Sequence, residues 1–197
     1  MGLKQYLNED LIECGVDETG RGSLSGPVFA AAVILPKDFT SENIKDSKKL
    51  TEKGRLKALK EIEDNAICWS VKMVSPEDID KFNIQNAVYG AMNSAINDLK
   101  VTPDHILVDG NIFNSFYDIP YTCVIKGDNE YLSIAAASIV AKVYRDEYMK
   151  ELHKKYPSYG WDKNKGYGSK QHIDVIKEEG ITQHHRKTFL KNILIPS

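Results

Sequence analysis

Apolar positions in the first part of the chain fall in short runs with strand spacing. Ile12 to Val16 is a brief apolar run, followed by a turn-rich segment from Thr19 to Pro27. Val28 to Leu35 is continuously apolar, and residues 66–74 (AICWSVKMV) alternate well enough to predict a third strand. Between the second and third runs, Thr51-Glu52-Lys53 opens a helix predicted to reach about Asp64, with Leu56, Leu59 and Ile62 on one face. The pattern then switches to helices alternating with strands. Ser75-Pro76-Glu77 combines a capping residue, a proline at the first helical position and an acid in the first turn. Ile84, Val88, Ala91, Met92, Ala95, Ile96 and Leu99 trace one apolar helical face. His105 to Val108 and Tyr121 to Ile125 read as short buried strands, ending at Asp109-Gly110 and at Lys126-Gly127-Asp128. Residues 131–156 predict a long helix whose start, IAAASIVA, is apolar all round, as in a helix packed deep against a sheet. Ser169 to Glu179 predict a shorter one, with Gly180 as its stop.

This order of elements predicts an α/β fold with a mixed central β-sheet flanked by helices. No internal repeat or linker divides it, so residues 1–197 are expected to form one domain, with a C-terminal helical segment from about residue 157.

At 197 residues the chain is long enough to bury a substantial core. The longest apolar stretch, Val28 to Leu35, is far too short to span a bilayer, and the N-terminal residues have mixed charge and no apolar signal segment. A cytoplasmic protein without membrane association is expected. Cys14, Cys68 and Cys123 are scattered, with no C-x-x-C, so they are expected to be small core residues. The net charge of −2 conceals an asymmetry: residues 1–141 carry 14 Lys and Arg against 21 Asp and Glu, residues 142–197 carry 12 against 7. An acidic body with a basic C-terminal quarter suits a protein that holds cations in one place and phosphates in another.

Several acids sit where ligands are commonly bound. Asp109 and Asp128 close buried strands, and Asp17 and Glu18 follow the first strand. Neighbouring strand residues face opposite ways, so Asp17 and Glu18 converge only if the strand bends or ends there; Gly20 and Gly22 make a bend feasible. Clustered carboxylates in a partly buried site repel one another unless some protonate or cations compensate. Oxygen ligands select hard ions, Mg²⁺ or Mn²⁺, and no histidine or cysteine is placed to suit zinc. Two such ions, roughly 4 Å apart, activate a water on one side of a phosphate and stabilise the leaving oxygen on the other. Taken singly, an aspartate beside a glycine after a strand is an ordinary turn former, and spacing alone leaves both readings open. The segment Gly20-Arg21-Gly22-Ser23-Leu24-Ser25-Gly26 lacks a P-loop lysine and the dinucleotide glycine spacing, and it runs into a strand. It is either a loop offering N–H groups and an arginine to a sugar-phosphate chain or a plain hairpin connection.

The strings GVDETGRGSLSGPV, DSKKL, LVDGN, KGD, AAASIVAKVYRD, KGYGS and HHRKTF, in that order, resemble bacterial ribonuclease HII, the type 2 ribonuclease H. The resemblance runs from about Ile12 to Phe189. It implies a ribonuclease H-like fold with an added C-terminal helical segment. It also implies hydrolysis of RNA paired with DNA, including single ribonucleotides embedded in duplex DNA, leaving 3′-hydroxyl and 5′-phosphate ends. By motif, Asp17, Glu18, Asp109 and Asp128 are the family's catalytic, metal-holding acids. Gly20, Arg21 and Gly22 match the loop that inspects the 2′-hydroxyl, and Tyr167 matches the tyrosine that reads the RNA–DNA junction. Thr19 and Ser23 depart from the residues commoner in the family without removing a functional group. About a dozen residues precede the first strand, which favours type HII over the HIII relatives with an extra N-terminal domain.

Lys48, Lys49, Lys142 and Arg145 are candidate phosphate contacts, the alternative being solvated or acid-paired side chains. His184-His185-Arg186 resembles the family's HR; adjacent histidines diverge, so no metal role is expected of them. Trp69 and Trp161 are expected in the core or at its rim. Three rival functions remain at this point: a nuclease of the same fold with another nucleic-acid substrate, a binding module without catalysis, and a Mg²⁺-dependent phosphatase. The four acids argue against the second, and the GRG loop and KGY tyrosine against the third. A monomer is expected, since no heptad or exposed apolar helix calls for a dimer. The sequence leaves open the preferred ion, the number of ions and any contact with a replication clamp.

Overall fold

A computed structural model of the chain describes residues 2–194. Its centre is a five-stranded sheet in the order β3-β2-β1-β4-β5, with β1 Glu13–Thr19, β2 Val28–Ile34, β3 Cys68–Val74, β4 His105–Asp109 and β5 Tyr121–Val124. β1, β2 and β3 form an antiparallel meander, whereas β4 and β5 run parallel to β1. The crossover from β3 to the parallel strand β4 is helical, whereas β4 joins β5 through the irregular residues 110–120. Helix α1 spans Glu52–Asn65, α2 Pro76–Phe82, α3 Ile84–Asn97 and α4 Leu132–Lys155, followed by α5 Trp161–Asn164, α6 Lys170–Glu179 and α7 Lys191–Leu194.

Strand alternation sends Cys14, Val16, Ala30, Ala32, Ile106 and Val108 onto α3, against Val88, Met92 and Ile96. The other face, with Ala31 and Val33, packs on α4 and α1 through Ala136, Ile139, Val140, Ala58 and Ile62. β2 is apolar at every position because both of its faces are covered. This is the mixed sheet with flanking helices that the pattern predicts.

α4 lies hard against β1. A Cβ at Gly15 would come within 2.1 Å of the Ser133 carbonyl carbon and 2.4 Å of the Ile134 nitrogen, both backbone atoms that cannot swing away. Gly15→Ala is therefore expected to destabilise the fold by about 2 kcal/mol, read as a lowered urea midpoint. An unchanged midpoint would show that the helix rides higher on the sheet than this.

The structure differs from the sequence pattern in five places, the first being β5, an edge strand with none of its residues buried. β1 does not stop at Val16: Asp17, Glu18 and Thr19 stay paired with Ala31, Ala30 and Phe29 of β2, while pairing with β4 ends at Val16↔Val108. The helix opened by Ser75 breaks at Asn83, whose backbone has φ 67° and whose side chain accepts from the Asn86 N–H at 3.0 Å, so α2 and α3 are separate. On α1 the buried stripe runs through Ala58 and Ile62 with Leu59 beside them, and Leu56 is 44% exposed. Cys14 and Cys68 are buried as expected, but Cys123 is only half-buried.

From residue 157 the chain is helical and irregular, as predicted. Trp161 is fully buried there among Tyr159, Ile176 and Leu190, while Trp69 is half-buried against Tyr144. Met149 and Leu152 of α4 and Leu24 of the β1–β2 connection join the same cluster. No described helix is long and apolar enough to cross a membrane.

Candidate active site

The strand register places the acids. One step beyond Val16↔Val108, Asp17 and Asp109 stand on adjacent parallel strands and share the face of Gly15 and Leu107, which α4 covers. Because β4 pairing has ended, this edge is open between the two strands. Asp17 is 4% exposed, and its Oδ1 accepts from the Glu18 N–H at 2.7 Å. Asp109 accepts from the Gly127 N–H at 2.7 Å. Asp128 is 2% exposed, in the 3-10 turn Gly127–Asn129 that leads into α4, and accepts from Asn129 Nδ2 at 2.9 Å. Glu18 begins on the opposite face by strand alternation, yet its carboxylate lies in the field of Asp109, Arg21 and Lys48.

Mutual repulsion is strong. Burial, then Glu18 and Asp109, hold the Asp17 carboxyl well above its usual range. Glu18 is raised by burial and Asp109 despite the charge of Arg21, and Asp109 is raised by burial and Asp128 despite the Gly127 hydrogen bond. Among the described residues, no three His, Cys, Asp or Glu side chains close on one point as a ready cage for an ion. The acids form a line of neighbours, Glu18 and Asp17 to Asp109 to Asp128, rather than a sealed pocket. An all-oxygen, mutually repelling set open on one side fits hard divalent cations, and one protein cation already answers it. Lys48 Nζ lies 3.5 Å from Asp128 Oδ2. Although desolvation works against its charge, the fields of Asp128, Asp17 and Asp46 keep its pKa raised.

Lys48 is aimed by the 3-10 turn Ser47–Lys49. Asp46 caps this turn, accepting from the Lys48 N–H at 2.9 Å, and Ser47 Oγ lies 3.0 Å from Ser138 Oγ. Lys49 is mostly exposed and reaches Asn129 Oδ1 at 2.7 Å and Asp46 Oδ2 at 3.4 Å. Asp46, Asn129 and Ser138, which spacing did not single out, thus brace the acids. Their only signal was that Asp46 and Ser138 lie within the DSKKL and AAASIVAKVYRD strings and that Asn129 directly follows KGD.

The Gly20–Gly26 connection is a hairpin loop built around two fully buried arginines. Arg186 donates to the carbonyls of Gly20 (2.8 Å), Arg21 (2.9 Å) and Gly26 (2.8 and 3.0 Å). Arg145 donates to Pro27 O at 3.0 Å, Ser23 Oγ at 2.7 Å and Ser25 O at 3.4 Å. Arg145 is thus a correction: it has no exposed surface to offer a phosphate, and its guanidinium serves the loop. Lys142 is likewise taken by Asp146 one turn along α4, an acid that Arg55 also approaches at 3.7 Å. Arg21 is half exposed, with Nη1 3.9 Å from Glu18. Gly20 has φ 89°, and a Cβ there would lie 2.1 Å from Arg145 Nε.

Tyr167 is brought to this loop. Leu24 and Ser25 donate their N–H groups to Gly166 O at 2.8 and 3.2 Å, and the Tyr167 ring, 40% exposed, lies over the Arg145 guanidinium at 5.5 Å. Arg186, His172 and His185 form the buried floor beneath; the HHR string was the sign of Arg186 and His185, and nothing pointed to His172.

Comparison with known proteins decides the family. The sequence model described as Ribonuclease HII matches residues 14–192. A protein named Ribonuclease HII from Bacteroides thetaiotaomicron is 58% identical over 95% of this chain and 94% of its own length. The chain belongs to the ribonuclease HII family. Membership makes it a ribonuclease H, a phosphodiester hydrolase, with a ribonuclease H-like fold. Among solved structures, ribonuclease H2 from Pyrococcus horikoshii OT3 matches with a TM-score of 0.79 at 26% identity, covering 92% of this chain and 96% of that one. RNase HII of Archaeoglobus fulgidus, solved in complex with PCNA, matches at 0.72 and 27%, covering 89% and 94%.

Proposed function

We propose that this member of the ribonuclease HII family, an endonuclease on RNA–DNA hybrids, also nicks duplex DNA on the 5′ side of single embedded ribonucleotides, leaving 3′-hydroxyl and 5′-phosphate ends. The observation that carries the reading is the junction of two features: a line of four carboxylates at an open strand edge, and beside it a loop and a tyrosine fastened to each other. Enzymes of this family use divalent cations, and on this reading Asp17, Glu18, Asp109 and Asp128 would hold them as Mg²⁺ or Mn²⁺. When bound, two such ions supply Lewis-acid polarisation of the scissile phosphate and ionise the attacking water.

The chain's own groups do the rest. Trans peptide planarity means that turning the Gly20 and Arg21 carbonyls onto Arg186 turns the Arg21 and Gly22 N–H groups the other way. Those donors, with the exposed Arg21 guanidinium, face a sugar-phosphate chain and its 2′-hydroxyl, the group that separates RNA from DNA. Lys48 adds positive charge beside Asp128, where negative charge gathers, and Lys49 is exposed next to it. Tyr167, with its hydroxyl-bearing ring partly exposed, is placed to read the junction. Residues 1–197 act as one catalytic unit on this reading, because Arg186 and Tyr167 of the C-terminal segment complete the loop.

The direct test is incubation with Mg²⁺ or Mn²⁺ and a DNA duplex carrying one ribonucleotide, beside an all-DNA control. Nicking 5′ of the ribonucleotide is expected, with no cutting of the control and none in chelator. Equal cutting of both duplexes would sink the reading and favour a general nuclease. Tyr167→Phe is expected to weaken single-ribonucleotide nicking about tenfold, the worth of one good hydrogen bond, and cleavage of long hybrids much less. Equal loss on both substrates would count against junction reading by Tyr167.

A further inference from the structure

Behind Tyr167 lies a buried histidine pair that the proposed chemistry does not use. His172 of α6 is fully buried, and its Nδ1 is 2.9 Å from the Tyr167 carbonyl oxygen. A carbonyl only accepts, so His172 carries its proton on Nδ1. Its Nε2 is then an acceptor, and it receives the Trp161 indole N–H at 3.1 Å. His185, also buried, accepts the Thr182 N–H on Nδ1 at 3.0 Å, which leaves its proton on Nε2, aimed at His172 Nε2 3.3 Å away. Thr182, His185, His172 and Tyr167 therefore form one chain of hydrogen bonds with a single direction, and both tautomers are fixed by it.

The two ends of this chain are fastened to the two substrate-facing elements. His185 pairs its backbone with Ser25; its neighbours His184 and Arg186 bond Gly26 and Leu24 at 2.8 and 2.9 Å. His172 holds the Tyr167 backbone. Both rings must be neutral, because a second proton on either would face a donor: Trp161 for His172, Thr182 for His185. The surroundings agree. Burial lowers both pKa values, that of His185 to about 4, and the rings of Tyr159 and Trp161 wall the pair.

We propose that His172, oriented by His185, is a positioning residue that sets Tyr167 against the Gly20–Gly26 loop so that both address the same ribonucleotide. The proposal rests on Tyr167 being the junction reader. Asparagine can place its Nδ2–H where His172 has Nδ1–H and still donate to Tyr167 O; leucine cannot. Neither offers Trp161 an acceptor at the old position, so both should melt earlier, and stability alone does not separate them.

The test compares kcat/KM for single-ribonucleotide nicking with that for a long RNA–DNA hybrid in the full chain with Mg²⁺. His172→Leu is expected to lower the ratio about tenfold and His172→Asn to stay within about threefold of the native ratio. In a Tyr167→Ala background, His172→Leu is expected to change the ratio no further. An unchanged ratio in His172→Leu, an equal fall in His172→Asn, or an added fall in the Tyr167→Ala background would each overturn the proposal. If Tyr167→Ala alone left the ratio unchanged, the tyrosine reading would fail first and this proposal with it. Nitrogen-15 NMR of the native chain at neutral pH gives a check independent of any variant's folding: Nδ1–H for His172 and Nε2–H for His185 are expected. The opposite tautomer at His172 would overturn it.

Discussion

Asp17→Asn is expected to slow RNA–DNA cleavage by about three orders of magnitude or more while raising the melting temperature of the metal-free protein. The two effects have one origin. Asp17 is almost completely buried, and its carboxyl is held well above the usual range by burial and by the charges of Glu18 and Asp109. A carboxyl raised in the folded state contributes stability in its protonated form, fully present below the unfolded value near 3.9 and lost as pH rises through the folded value. At neutral pH an ionised Asp17 therefore opposes folding. Asparagine has the same size, keeps an oxygen to accept the Glu18 N–H and removes the charge. The same charge is what a divalent ion needs, so added Mg²⁺ should raise the melting temperature of the native chain more than that of the variant. Thermal melts with chelator and with Mg²⁺, beside a cleavage assay, read all three effects. A variant that stays active, or melts lower in chelator, would contradict the assignment of Asp17.

Arg186→Met should cost about 3 kcal/mol or more and remove most activity on RNA–DNA substrates. Two effects oppose each other here. Burial and the nearby charge of Arg145 press the Arg186 guanidinium down to about 9, so removing it relieves a desolvated cation. Against that, methionine leaves the Arg21 and Gly26 carbonyls without the donors that turn them inward, and leaves Gly20 O to the Ser23 hydroxyl and N–H alone. The lost hydrogen bonds to three loop carbonyls outweigh one relieved charge. The peptides carrying the Arg21 and Gly22 N–H groups are then free to rotate, which takes away the surface proposed for the 2′-hydroxyl. Urea unfolding and cleavage of a hybrid measure the two parts. Lysine, which keeps the charge but not the planar fork, should recover little of either. Full recovery by lysine would show that charge alone matters at this position.

Much of this was legible in the sequence. β2 announced itself as an unbroken apolar run because both its faces are covered, and Ser75, ahead of Pro76 and Glu77, is the cap it appeared to be. The break at Asn83 was invisible, since a single left-handed residue leaves the apolar periodicity of α3 intact. The extension of β1 through Thr19 was hidden for a different reason. Polar residues lowered the strand signal, and the pairing with Phe29, Ala30 and Ala31 keeps them extended. Among the candidate site residues, the acids stood out at strand ends, but only the Val16↔Val108 register makes Asp17 and Asp109 neighbours. Arg145 misled because an arginine near a glycine loop looks the same in sequence whether it meets a phosphate or the loop's own carbonyls. His172 gave no signal at all: on an amphipathic helix a buried histidine reads as any inward position, and its partners come from residues 161, 167 and 185.

The account stands on the four carboxylates as the seat of the divalent ions. Anomalous scattering from crystals of the chain soaked in Mn²⁺ tests that most directly. Manganese peaks are expected at the open edge between β1 and β4, within ligand distance of Asp17, Glu18, Asp109 and Asp128, and lost from crystals of Asp17→Asn. Manganese bound elsewhere, with these four carboxylates unligated in an active enzyme, would contradict it.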